Sequence, residues 1–400
     1  MILKYFHILI IILAFTSLIL IYYFNSYFNH EQTYVAFFKS IDHYIQIHNK
    51  IIQSRESTPK KLVFFFPHWN GYGNKIYGLL SAFTVSVLTE SAIFIDWPEA
   101  EAFFQPPLNN TFKKYPAHSS LSFEFKNRTL NYRLTTQDKN HFEYKKNLDF
   151  LLNETIPFHK TRLLYSDDVK PYFFTICSNP IYYEKILHYN LAKIETIREA
   201  RMALFSSQNE SQVIDKLYAI GFEVAHNLLN KLWTLKSKFK YQIEKFQQDN
   251  FKNYFIIGIQ LRSDYMKYRD LKLFIRCARY IEKINNATDR AKWFISTDMK
   301  NVFPILKKKF GDKVIEGRGK IGHITYDDNT MYRTVFDNEI LSKSNEIIIT
   351  GGSTFGFVAS LRQGKMPYFV EGERQNEWNG ACNRATFDKG PSYLGEVSTF

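Results

Sequence analysis

The chain has 400 residues and a net charge of +13, and 45% of its residues are hydrophobic and 17% aromatic. That length holds two domains of ordinary size, and the Phe and Tyr content excludes any shortage of apolar surface to bury. The excess of Lys and Arg argues against cationic partners and favours an anionic one, whether nucleotide, nucleic acid or membrane headgroup.

Tyr5 to Phe24 is nearly unbroken apolar sequence. About 20 residues at ~1.5 Å rise cross the ~30 Å hydrocarbon core of a bilayer. Its exit, Tyr22-Tyr23-Phe24-Asn25, places aromatics where an interfacial belt belongs and lacks the small residues of a cleavage site. An uncleaved transmembrane signal anchor is expected over 1–24. Lys4 precedes it and Lys39 is the first basic residue after it, so the N-terminus is expected in the cytosol and the rest in the lumen. A luminal protein has no nucleic-acid partner. The sequons at Asn109, Asn127, Asn153, Asn209 and Asn286 permit that location. Cys177, Cys277 and Cys382 allow one disulfide at most, and their spacing fits no zinc motif.

Residues 25–61 read as a stem, with helical spacing over Glu31–Gln53 and a linker around Pro59. An N-terminal α/β domain is expected over 62–250. Leu62–Phe66 is a strand pattern, and Gly71-Tyr72-Gly73-Asn74-Lys75 follows it. A helix with one apolar face runs on from Ile76, and Ala92–Asp96 is the next strand. A glycine loop at the C-terminal end of a first strand is where open α/β sheets bind ligands. This loop is neither a dinucleotide fingerprint nor a Walker motif. Asn74 caps the helix, bonds a ligand, or does both. Glu99 to about Asn250 is the expected acceptor side, with short apolar runs such as Tyr172–Ile176 and helical stretches at Ile181–Leu204 and Gln212–Trp233.

A second α/β domain is expected over 251–400. Strands at Phe255–Leu261, Trp293–Ser296, Lys313–Ile315, Glu346–Thr350 and Tyr368–Val370 alternate with helices, which argues a parallel doubly wound sheet. Two such units suggest a cleft between them. Strand ends here carry the candidate chemistry. Arg262 suits a bidentate grip on a diphosphate, against the plain alternative of pairing with Asp264. Asp298 either holds a base or ribose or caps the next helix. In Thr350-Gly351-Gly352-Ser353-Thr354-Phe355-Gly356 a buried strand delivers a glycine turn onto a helix N-terminus. Amide groups, the helix dipole and the hydroxyls of Ser353 and Thr354 then converge on one anion site. No Asp-x-Asp pair occurs, so no metal is expected and a departing diphosphate would be stabilised by arginine, hydroxyls and dipole.

Taken together, these segments resemble the fucosyltransferases with GT-B architecture, most closely the plant-type xyloglucan (galactoside 2-α-L-) fucosyltransferase family. Gly71–Phe83 looks like that family's Gly-x-Gly-Asn-Arg loop and helix, with Lys75 in place of arginine. Ile257–Arg262 is similar to its central arginine strand, Thr350–Gly356 to its Ser-Thr-Phe-Gly segment, and Ala381–Ala385 to its Cys-Gly-Arg-Ala piece, with Asn383 for glycine. The resemblance spans about 62 to 395. It implies two Rossmann-like domains facing a cleft, an enzyme that moves L-fucose from GDP-fucose to a glycan hydroxyl with inversion, no metal or cofactor, and a single-pass type II Golgi membrane location. It also implies that Arg262 binds the β-phosphate. Ser353, Thr354 and the amides of Phe355 and Gly356 would hold phosphate, while Gly71, Gly73 and Asn74 line the donor side. Asp264, Asp96 and Glu99 are candidate general bases, and His68 is expected to be structural. Alternatives are a protein O-fucosyltransferase, a GT-B enzyme using another nucleotide sugar, and a non-catalytic membrane-tethered glycan-binding protein.

Overall fold

The structure, a computed structural model, describes residues 40–53, 61–65, 67, 71–109, 111–112, 162–166, 171–205, 210–322, 330–370 and 382–387. The expected anchor at Tyr5–Phe24, His68, and the sequons at Asn127, Asn153 and Asn209 lie outside these residues. Among the described residues no helix is long and apolar enough to cross a membrane.

Helix α1 (Ile41–Gln53) is the described part of the expected stem helix, and it is more than spacer. Its Tyr44 hydroxyl donates to Ser91 O at 2.9 Å, and His48 Nδ1 accepts from Ile93 N–H at 3.3 Å. These bonds fasten it to the first lobe. That lobe is built on β1 (Lys61–Phe65), α2 (Tyr72–Leu88), β2 (Ala92–Ile95), the short α3 (Pro98–Glu101) and β3 (Arg162–Ser166). The strands form a parallel sheet in the order β2-β1-β3. Nearly every residue of α2 is buried, in keeping with its sandwiched place between this sheet and the helices that follow.

Those helices are α4 (Tyr172–Ser178), α5 (Tyr183–His188), α6 (Ile194–Phe205), α7 (Glu210–Leu232) and α8 (Ser237–Asn250). The Tyr172–Ile176 run, rich in strand formers, is a helix: all its residues are buried, and packing against α2 and α7 overrides local preference. The single helical stretch expected over Ile181–Leu204 is broken at Asn190, which takes a positive φ of 51° between α5 and α6.

The second lobe contains β4 (Phe255–Leu261), α9 (Leu271–Ile284), β5 (Ala291–Thr297), α10 (Val302–Phe310), β6 (Val314–Glu316), α11 (Met331–Leu341), β7 (Glu346–Thr350), α12 (Thr354–Gln363), β8 (Tyr368–Val370) and β9 (Asn383–Arg384). The sheet order is β6-β5-β4-β7-β8-β9, parallel except for the β8–β9 pair. In β7, Ile347 and Ile349 enter one apolar core and Ile348 the other, which is why the strand reads as continuous hydrophobic sequence. The core that receives Ile347 and Ile349 also holds α2, α4 and α7, so the two lobes share it. Arg362 adds a polar tie. Its guanidinium pairs with Glu339 at 2.9 Å and donates to Trp233 O at 3.2 Å, at the end of α7. Cys277 of α9 is bonded to Cys382 beside β9, and Cys177 is free and buried.

Candidate active site

Strand order in the second sheet turns back between β4 and β7. Successive crossovers run β4 to β5 to β6 in one direction, while β7 and β8 lie on the other side. At such a switch point the loops leaving two neighbouring strands diverge and open a crevice at their C-terminal ends. Arg262 leaves β4 there, and Gly351 leaves β7. Thr350 joins the two ends. Its hydroxyl donates to Gln260 O at 2.9 Å and accepts from Arg262 N–H at 3.0 Å, while its own N–H donates to the buried Gln260 Oε1 at 3.1 Å. Sequence reasoning passed over Thr350 and Gln260 because both looked like ordinary strand residues.

A cleft of about 300 Å³ lies over this point. Gly71, Gly73, Asn74, Arg262, Asp298, Ser353, Thr354 and Phe355 line it, together with Tyr72, Tyr265, Arg333 and Asp337. It therefore gathers the glycine loop of the first lobe and the strand ends of the second. Gly356 does not line it. A Cβ there would fall 2.6 Å from Ile349 Cγ2 and 2.9 Å from Gln260 Oε1, so its place is close packing of α12 on the sheet.

Two helix N-termini converge on the cleft. Helix α2 starts at Gly71, whose carbonyl accepts from Lys75 N–H at 3.1 Å. Helix α12 starts at Ser353, after a turn in which Gly352 takes φ +78°. The hydroxyl of Ser353 makes no capping hydrogen bond to α12. It is left, 3% exposed, on the wall of the cleft. The first-turn N–H groups of both helices have no carbonyl within their own helix, so each end presents donors and a positive dipole to an anion. Asn338 fixes the α12 end by donating from Nδ2 to Phe355 O at 2.8 Å. Tyr72 packs edge-on against Phe355 at 6.2 Å. Lys75, which stands where the resembling family has arginine, lies over the Trp97 ring at 5.5 Å.

Arg262 is held from two sides. Its Nη1 donates to Asp298 Oδ2 at 2.5 Å, and its Nη2 pairs with Asp264. Asp298 is not a helix cap: Asn301 occupies that position for α10. Instead its carboxylate accepts from Arg262 and, at 2.9 Å each, from the N–H and hydroxyl of Ser263. Of the two expected roles the cap is thus excluded, and three hydrogen bonds engage the carboxylate in orienting the arginine. The expected plain pairing of Arg262 with Asp264 does exist, at a half-exposed carboxylate. None of the candidate bases Asp264, Asp96 and Glu99 is among the residues that line the cleft, and Asp264 adjoins it only through its pairing with Arg262.

The cleft also contains an ion pair that sequence reasoning missed. Arg333 and Asp337, one turn apart on α11, are both nearly fully buried, with Nε and Oδ1 2.7 Å apart. Arg333 Nη1 donates to Gly317 O at 2.8 Å, and Nη2 has no hydrogen-bond partner among the described residues. Burial pushes the Asp337 carboxyl up to about 6, against the opposing pull of Arg333 and of a hydrogen bond from Ser296. The signal available in the sequence was a charged i, i+4 pair on the same helix face as Ile340.

No family model and no curated sequence matches this chain. Its fold does match solved structures. A point mutant of Arabidopsis thaliana FUT1 in complex with GDP aligns over 86% of this chain and 81% of that one, at 15% identity and a TM-score of 0.58. Fucosyltransferase NodZ from Bradyrhizobium aligns over 80% of this chain and 98% of its own, at 17% identity and a TM-score of 0.45. The chain thus shares its two-lobed α/β fold with that FUT1 structure over most of both chains.

Proposed function

We propose that this chain is an inverting, metal-independent glycosyltransferase that moves L-fucose from GDP-fucose to a glycan hydroxyl, with galactosides as the acceptor class. The observation that carries the reading is Arg262, fixed by Asp298 at the sheet's switch point and facing two helix N-termini across one cleft. A nucleoside diphosphate is the ligand whose charge those donors match. Arabidopsis FUT1, which has the same fold, was solved with GDP.

In this reading Arg262, the hydroxyls of Ser353 and Thr354 and the α12 amides take the diphosphate. Arg333 and Asp337 supply a buried donor and a buried acceptor for the polar edge of the base. The C–O bond between fucose and diphosphate breaks with oxocarbenium character, and the negative charge that develops on GDP falls on preorganised donors. An acceptor hydroxyl attacks the anomeric carbon from the opposite face. Asp264, which pairs with Arg262 without itself lining the cleft, is the carboxylate proposed to receive its proton.

We place the protein in the Golgi membrane as a single-pass type II protein anchored by Tyr5–Phe24, with the two lobes in the lumen. The Cys277–Cys382 bond suits an oxidising compartment, and Asn109 and Asn286 are exposed as glycosylation would need.

Calorimetry of the full chain in detergent and EDTA, with GDP-fucose, GDP-mannose and UDP-galactose, tests the reading. Selective micromolar binding of GDP-fucose with slow hydrolysis is expected. Preference for another donor would keep the fold and discard the fucosyl assignment. Binding of none would favour a tethered glycan-binding protein.

A further inference from the structure

Side chains alternate across β4. Ile257, Ile259 and Leu261 enter the core of the second lobe, and Ile256 enters the core that the two lobes share. Gln260 falls on the same face as Ile256, at a place where a buried strand ordinarily carries a hydrophobic residue, and it is 2% exposed. Its register partner on β5 is Ser296, also buried, whose hydroxyl bonds the Asp337 carboxylate. All three residues line the cleft, so this polar patch belongs to it.

The Gln260 carboxamide is held in one orientation. Its Oε1 accepts from Thr350 N–H at 3.1 Å, and the Gln260 main-chain carbonyl accepts from the Thr350 hydroxyl at 2.9 Å. A backbone N–H leaves no choice between the two branches of an amide: the oxygen faces Thr350 and the NH2 group takes the other side. Oε1 also lies against the first turn of α12, 2.9 Å from where a Cβ on Gly356 would stand. The carboxamide is therefore wedged between the end of β7 and the start of α12. Its oxygen has a structural use, since it bonds Thr350 beyond Ile259 and Ile348, where the register between β4 and β7 ends. Its nitrogen has none: among the described residues Nε2 makes no hydrogen bond. A buried NH2 group without an acceptor costs stability that an apolar side chain of the same length would not.

We propose that Gln260 is a further donor-binding residue, whose Nε2 donates to a phosphate oxygen of the nucleotide diphosphate below the N-terminus of α12. The proposal rests on the nucleotide-sugar reading and adds to it a neutral contact distinct from Arg262 and the helix ends. Because the carboxamide cannot turn, this place takes only a hydrogen-bond acceptor. The neighbouring helix end makes an anionic acceptor the preferred one.

Calorimetry of GDP and ligand-detected NMR of guanosine, on the full chain in detergent, test this. Gln260→Glu keeps an oxygen for Thr350 N–H and replaces the donor with a carboxylate oxygen. It is expected to raise the Kd for GDP about 100-fold and to leave that for guanosine within about twofold. Protonation of the new carboxylate restores a donor, and burial beside a phosphate raises its pKa. The ratio of variant to unaltered Kd for GDP should therefore shrink as pH falls from about 8 to about 5. Gln260→Met, uncharged and of equal length, should raise the GDP Kd about tenfold, and it carries the test if the Gln260→Glu protein does not fold. Equal losses of GDP and guanosine affinity would overturn the proposal, because the side chain would then shape the cleft without touching phosphate. Unchanged GDP affinity in both variants would do the same. If the unaltered protein binds neither GDP nor guanosine, the nucleotide-sugar reading itself fails, and the role of Gln260 with it.

Discussion

Gly73 and Phe355 meet backbone to backbone across the two lobes: a Cβ on Gly73 would stand 2.5 Å from the Phe355 nitrogen and 2.6 Å from Thr354 Oγ1. Only a glycine lets α2 approach the first turn of α12 so closely, and this approach sets the width of the anion site. Gly73→Ala is expected to push the helix ends apart, lowering stability by about 1–3 kcal/mol and weakening GDP binding. Thermal unfolding and GDP calorimetry on the variant measure both. A Tm and Kd equal to those of the unaltered protein would mean that the contact yields freely.

Arg262 carries the largest share of the proposed chemistry. Arg262→Ala should reduce turnover of GDP-fucose by about 10²–10³. Asp298→Asn keeps the shape but removes the charge that orients the guanidinium, and a smaller loss, about tenfold, is expected. Single-turnover rates on the two variants separate the roles. Near-normal turnover in Arg262→Ala would remove it from the mechanism.

Asp337 should leave a mark on stability. Its folded-state carboxyl is raised from 3.8 to about 6, so the folded protein holds that proton more tightly than the unfolded chain does. The stability this group contributes is full below the unfolded value and is lost as pH rises through about 6. The thermal midpoint should therefore carry a component that falls between about pH 4 and pH 7. Asp337→Asn should flatten that component, which differential scanning calorimetry across the range would detect.

The Cys277–Cys382 bond closes a loop of 105 residues and ties α9 to the segment after β8. Loss of a native disulfide of this kind costs about 2–5 kcal/mol. Cys277→Ser with Cys382→Ser should lower the denaturation midpoint accordingly, whereas Cys177→Ser, in a buried position with no bond to lose, should change it far less.

Glu339 and Arg362 form a nearly fully buried pair linking α11 to α12, and Arg362 continues to the end of α7. Glu339→Ala leaves a buried guanidinium without its counter-ion and should destabilise by about 3–5 kcal/mol. Replacing both partners with apolar residues, Glu339→Leu with Arg362→Met, should recover much of that loss. Urea unfolding of the two variants makes the comparison.

Much of this architecture was legible in the order of the residues. Glu346–Thr350 reads as a strand buried on both faces because a parallel sheet covered by helices needs continuous apolar sequence, and the structure divides its isoleucines between two cores. Gly351-Gly352 before Ser353 reads as a turn onto a helix because one position there takes a positive φ, and Gly352 does. Arg262 stands out because a charged residue directly after a buried strand needs a reason. These are local facts, governed by backbone sterics and by the period of side-chain burial, and a linear sequence contains them.

What tertiary structure alone decided is which of these local features meet. Asp298 has the same local sequence whether it caps a helix or braces an arginine, and the choice falls to the neighbouring strand, which places Arg262 and Ser263 against it. Tyr172–Ile176 has strand-forming residues yet becomes a helix, since burial against α2 and α7 outweighs a local preference of about 1 kcal/mol. The Arg333–Asp337 pair lies on an unremarked helix and becomes part of the site only because the sheet turns back on itself between β4 and β7. Long-range contacts of this kind are energies between residues far apart in the chain, so no window of sequence contains them.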